Sequence, residues 1–86
     1  ADMRLKVSAT GLFTYPDGSA LCGEPAFEYH RGVAMLLNPS VVVEVLSDST
    51  EAYDRGAKFA HYRRLPSLRE YVLVAQDRVH AERYTP

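Results

Sequence analysis

Residues 41–47 read VVVEVLS, five strongly apolar residues around the single carboxylate of Glu44. A run this apolar and β-branched predicts a strand over 40–47, central in its sheet and buried on both faces. Strand alternation puts Val41, Val43 and Val45 on one face, and Val42, Glu44 and Leu46 on the other. Glu44 therefore sits among aliphatic neighbours. An ionised carboxylate there must be paired, protonated or bound to a metal, because burial strips it of hydration.

Downstream, Ser49 or Thr50 can cap a helix with Glu51 in its first turn, and Leu65-Pro66 ends it. Gly56 lies inside and costs about 1 kcal/mol relative to alanine, so this helix leans on packing. Glu70–Ala75 reads as the next strand, and Gln76-Asp77-Arg78 turns into a last one over 79–84. The step from 40 to 75 is thus a strand–helix–strand unit that suits a parallel crossover.

Upstream, a first strand is expected at 4–9. A turn-rich stretch, 10–18, is punctuated by Pro16-Asp17-Gly18, and a short strand follows at 19–22. Residues 26–39 read as an irregular excursion with a turn of helix near 31–36. The predicted order is β-β-β-α-β-β, an α/β (or α+β) fold with one mixed central sheet and a crossover helix.

Eighty-six residues allow one small domain, expected to span 1–86. The chain enters its first strand almost at once, which suggests a piece of a longer protein. A net charge of −1 provides no global attraction to nucleic acid, so such binding needs a local patch. Cys22 is the single cysteine, which excludes an internal disulfide and any CxxC site. No signal peptide and no apolar run of about 20 residues is visible, so a soluble, cytoplasmic setting is expected.

Three residues stand out as candidates. Glu44 is either neutralised by an arginine or placed at a sheet edge, or it is a ligand. Asp17 precedes a strand that can lie beside the Glu44 strand, so both acids can reach one divalent cation. Magnesium takes hard oxygen donors and retains several waters. Pro-Asp-Gly is also a favoured turn without any chemistry. Lys58 is four residues after Asp54 and forms either a surface pair with it or an ammonium turned toward Glu44.

The string TYPDGSALCGEP, followed by LLNPSVVVEVLSDSTEAYDRGAKFAHYRRLPSLREYVLVAQDR, resembles the Uma-two family of restriction endonucleases. That family is similar to the PD-(D/E)XK nuclease superfamily. The resemblance runs through nearly all 86 residues and corresponds to the middle and later part of the family domain. It implies a restriction-endonuclease-like fold and magnesium- or manganese-dependent hydrolysis of DNA phosphodiesters. On this resemblance Asp17 stands for the PD aspartate and Glu44 for the (D/E) position. Leu46 occupies the place of the motif lysine, and Lys58 is its substitute from the next helix. Gly18 is a second departure, since the family has an apolar residue there. The implied metal ligands are Asp17, Glu44 and the Val45 carbonyl, with Asp54 and Tyr62 in support.

Arg55, Arg63 and Arg64 make the helical half locally basic, which suits DNA phosphates or simply a solvated face. Tyr53 and Tyr62 are expected to be core or helix-packing residues, Tyr62 with the alternative of lining the site, and the three histidines are scattered. Exposed strand edges and the need to cut both strands favour a homodimer. The competing function is a nucleic-acid-binding or assembly module that keeps the nuclease fold without cleaving.

Overall fold

The computed structural model describes residues 3–86. Eight strands and two short helices follow in order. They are β1 (Arg4–Val7), β2 (Leu12–Thr14), β3 (Gly18–Ala20), β4 (Phe27–His30), β5 (Val33–Leu36), β6 (Val41–Leu46), α1 (Glu51–Arg55), α2 (Ala57–Tyr62), β7 (Glu70–Ala75) and β8 (Ala81–Tyr84). The expected mixed α/β class holds, with the strands divided between two four-stranded sheets, β2-β1-β5-β4 and β3-β6-β7-β8.

The second sheet contains the expected crossover. β6 and β7 pair in parallel from Val41 opposite Glu70 to Leu46 opposite Ala75, and β3 lies antiparallel on the other edge of β6. Backbone bonds from Arg69 and Glu70 to the Ser40 carbonyl (2.8 and 3.2 Å) align the starts of the two parallel strands. Val42, Glu44 and Leu46 are buried, as their alternation predicts. The opposite face is not: Val41 and Val43 are half-buried and Val45 is 40% exposed.

The core joins both sheets and the helical segment. Leu5, Val7 and Leu36 meet Val42, Leu46, Tyr71 and Leu73, and Tyr62, Leu65 and Leu68 close over them. Phe59 stacks on Tyr71 with centroids 5.1 Å apart and planes at 7°. Such pairs contribute roughly 1 kcal/mol beyond the area they bury.

Four expectations need correction. The first strand stops at Val7, and the Val7 carbonyl accepts bonds from Thr10 and Gly11 that turn the chain into β2, inside the stretch read as turn. Residues 31–36 form no helical turn. Arg31 (φ 50°) and Gly32 (φ 81°) make a two-residue hairpin turn with left-handed backbone at both positions, joining β4 to β5. The single helix expected after residue 49 is two, broken at Gly56 (φ −106°, ψ −92°), where a Cβ would meet the Ala52 carbonyl oxygen at 3.2 Å. The last strand begins at Ala81 rather than 79. Among the described residues, no helix is long and apolar enough to cross a membrane.

Candidate active site

Asp17 immediately precedes β3, whose Gly18 is paired with Val43, so the antiparallel register carries Asp17 level with Glu44. Its Oδ2 accepts a 2.7 Å hydrogen bond from the Val45 N–H, which fixes one strand's acid against the next strand's backbone. Glu44 is 4% exposed. One of its oxygens, Oε2, accepts from the Lys58 ammonium; the other, Oε1, is buried without a hydrogen-bond partner. Lys58 also lies 3.7 Å from the buried Asp54, one helical turn earlier. An open cavity of about 330 Å³ is lined by Asp17, Glu44, Val45, Asp54 and Lys58 together with Tyr15 and Tyr53.

Burial pushes the Glu44 carboxyl above the usual glutamate range, and the Lys58 hydrogen bond and charge only partly offset that. A carboxylate held this way is short of one favourable partner. Buried polar oxygens almost always have one, so an exception calls for a cause. The neutralising residue is a lysine from α2, and a cavity adjoins it.

Sequence reasoning and structure meet unevenly here. Asp17, Glu44, Lys58, Asp54 and Val45 share the cavity, though the described tie from Val45 is its N–H, not its carbonyl. Tyr62 lies behind: it is fully buried, its hydroxyl is 3.2 Å from the Thr14 Oγ1, and its ring centre is 5.9 Å from the Lys58 Nζ. The arginines stand apart. The Arg55 guanidinium is occupied by Glu51 (2.8 Å) and Glu82, so its donors are not free for a phosphate. Arg63 lies over the Phe59 ring, and Arg64 is exposed. Tyr53, expected as a core or helix-packing residue, is 46% exposed on the cavity rim, and Tyr15 was not singled out although it is 53% exposed there. Thr50 takes the N-cap position of α1 without a side-chain cap bond, its hydroxyl bonding Ser47 instead (2.9 Å).

The residues fit a hard divalent cation. Oxygen donors from β6 and from the residue before β3 line one cavity, and one of them is buried and unpartnered. No group of three or more His, Cys, Asp or Glu able to hold a metal exists among the described residues. Two carboxylates with water and substrate oxygens suffice for magnesium. A second cavity, about 180 Å³, opens beyond the ends of β6 and β7 by Asp48, Glu51, Asp77 and Arg78. Of its acids, Glu51 and Asp77 are already paired with Arg55 and Arg78, and no buried unpartnered side-chain oxygen lines it.

The two sheets and the parallel β6–β7 crossover make an α/β fold consistent with a restriction-endonuclease-like class. The model of the Uma2 family, described as "Putative restriction endonuclease", matches residues 1–86. The chain belongs to that family. Two relatives from Synechocystis sp. are "Uncharacterized protein sll1609", 38% identical over 84 residues, and "Uncharacterized protein slr1290", 39% identical over 84 residues. Each alignment covers 98% of this chain but only 47% and 43% of the relatives, so the chain spans about half their length. No solved structure matches.

Proposed function

We propose that this chain carries the active site of a divalent-metal-dependent endonuclease that hydrolyses DNA phosphodiesters. The observation that carries the reading is the buried, unpartnered Oε1 of Glu44 beside a cavity shared with Asp17. Asp17 and Glu44 would hold magnesium or manganese, which supplies Lewis acidity toward a phosphate oxygen and acidifies a bound water.

The chain's own residues do the rest. The Val45 N–H orients the Asp17 carboxylate, so the two acids face the cavity with little freedom to lose on binding. Glu44 and Asp54 position the Lys58 ammonium, a fixed positive charge suited to the anionic oxygens of a reacting phosphate. Two such sites cut two strands, which makes a homodimer working on DNA in the cytoplasm part of the proposal.

Calorimetric titration of full-length protein with Mn²⁺ tests the reading. Wild type takes up the ion and Asp17→Asn loses most of that affinity. Glu44→Gln lowers magnesium-dependent nicking by at least about 100-fold, since several kcal/mol of charge stabilisation go with the ligand. Unchanged nicking in Glu44→Gln contradicts the assignment. The Lys58–Glu44 contact gives the non-cleaving module its one point of support, because it neutralises the acid without a metal. DNA binding with no Mn²⁺ uptake by wild type selects that reading.

A further inference from the structure

Two of the chain's six tyrosines stand at the rim of the acidic cavity with about half their surface in water, Tyr15 at 53% and Tyr53 at 46% exposure. They come from different elements, the turn before β3 and helix α1. The fold has other uses for tyrosine: Tyr62 and Tyr71 are fully buried, with their hydroxyls bonded to Thr14 and to the Asp54 carbonyl. Neither rim tyrosine serves the core that way. Each instead lies beside a cation. The Arg4 guanidinium is 4.9 Å from the Tyr15 ring centre, and the Lys58 ammonium is 5.8 Å from that of Tyr53. Phe27 and Tyr29 are also exposed, on β4, but do not line this cavity.

A half-exposed aromatic ring at the rim of a cavity is a surface on which an unstacked nucleobase can stack. A continuous duplex cannot use it, since its bases already stack on one another and must be extruded first. We infer that Tyr15 and Tyr53 form a base-stacking rim, and that the site takes DNA with unstacked bases, such as a single strand, a flap or a frayed end, in preference to intact duplex. This rests on the nuclease reading and narrows its substrate.

The test is fluorescence anisotropy of full-length protein with labelled single-stranded, flapped and fully paired oligonucleotides in EDTA, where no cleavage occurs. Single-stranded and flapped DNA bind about tenfold or more tighter than duplex. Tyr15→Leu and Tyr53→Leu each reduce that preference and leave duplex affinity as it was. Tyr15→Phe and Tyr53→Phe retain the preference, because the ring carries it. Matched thermal unfolding curves verify that the variants fold, as expected for exposed positions. Equal affinity for all three DNAs, unaffected by the leucine variants, overturns the inference and leaves the nuclease reading intact. Phenylalanine variants as weak as the leucine ones overturn stacking in favour of a hydroxyl contact. Failure to bind any of the three DNAs overturns the inference, while Mn²⁺ uptake and nicking still test the nuclease reading.

Discussion

Two ion-pair clusters grow from the same short helical segment and differ in almost everything else. Glu51 and Arg55 are four residues apart, as are Asp54 and Lys58, and each basic residue reaches a second acid on a strand, Glu82 on β8 or Glu44 on β6. In the outer cluster every partner is at least 29% exposed, and both acids are matched to one guanidinium, which Tyr84 also approaches. In the inner cluster no side chain is more than 13% exposed, and one Glu44 oxygen has no partner. The outer cluster fastens α1 to β8 and is complete. The inner one is incomplete where a cavity opens, and the proposed metal site rests on that difference.

Removing the basic residue from each cluster gives the largest contrast in stability. Lys58→Met leaves two buried acids without a cation and costs about 3 kcal/mol, the lower end for a broken buried pair because Glu44 can take up a proton. Arg55→Met costs far less, since water replaces the guanidinium at exposed carboxylates. Urea unfolding of both variants provides the comparison, and equal losses break it.

The clusters also respond to pH with opposite sign. Burial raises the Glu44 pKa, so the folded state binds a proton that the unfolded state has released in the window just above the ordinary glutamate value. Stability falls there as pH rises. The Arg55 hydrogen bond lowers that of Glu82, whose stabilisation is present above the ordinary value and is lost as pH falls through its folded pKa. Melting temperatures in EDTA register both. From mildly acid pH upward, wild type loses stability relative to Glu44→Gln. Below the ordinary glutamate value, wild type loses stability relative to Glu82→Gln as acid is added.

The smallest effect sharpens the Asp17 side of the inner cluster. A Cβ on Gly18 would meet the Val43 Cβ at 3.5 Å, an ordinary contact. Gly18→Ala therefore stiffens the strand after Asp17 and stabilises the fold by about 0.5 kcal/mol, measurable as a higher denaturation midpoint. A lower midpoint contradicts this account of Gly18.

The two sheets were unequally legible. Continuous apolar, β-branched runs in VVVEVL and EYVLVA mark β6 and β7, and the helical segment between them suits a parallel pair, so the face that Glu44 shares with Val42 follows from sequence. The other sheet hides its signals. β2 is three residues inside a turn-rich stretch, and the β4–β5 hairpin turns on Arg31, a residue type that rarely takes a left-handed backbone and so announces nothing. At the site, the acids and Lys58 were visible as residue types out of place. The rim tyrosines were not: Tyr15 lies in a turn with no periodicity, and Tyr53 sits on a five-residue helix too short for its face to be read from spacing.

The central claim is that Glu44 keeps one oxygen free for a cation that Asp17 shares. A crystal of full-length protein soaked in Mn²⁺, with anomalous scattering recorded, addresses it directly. The account predicts a manganese peak within ligand distance of both Asp17 and the Glu44 Oε1. An ordered Glu44–Lys58 pair with no manganese beside either acid at saturating metal would contradict it.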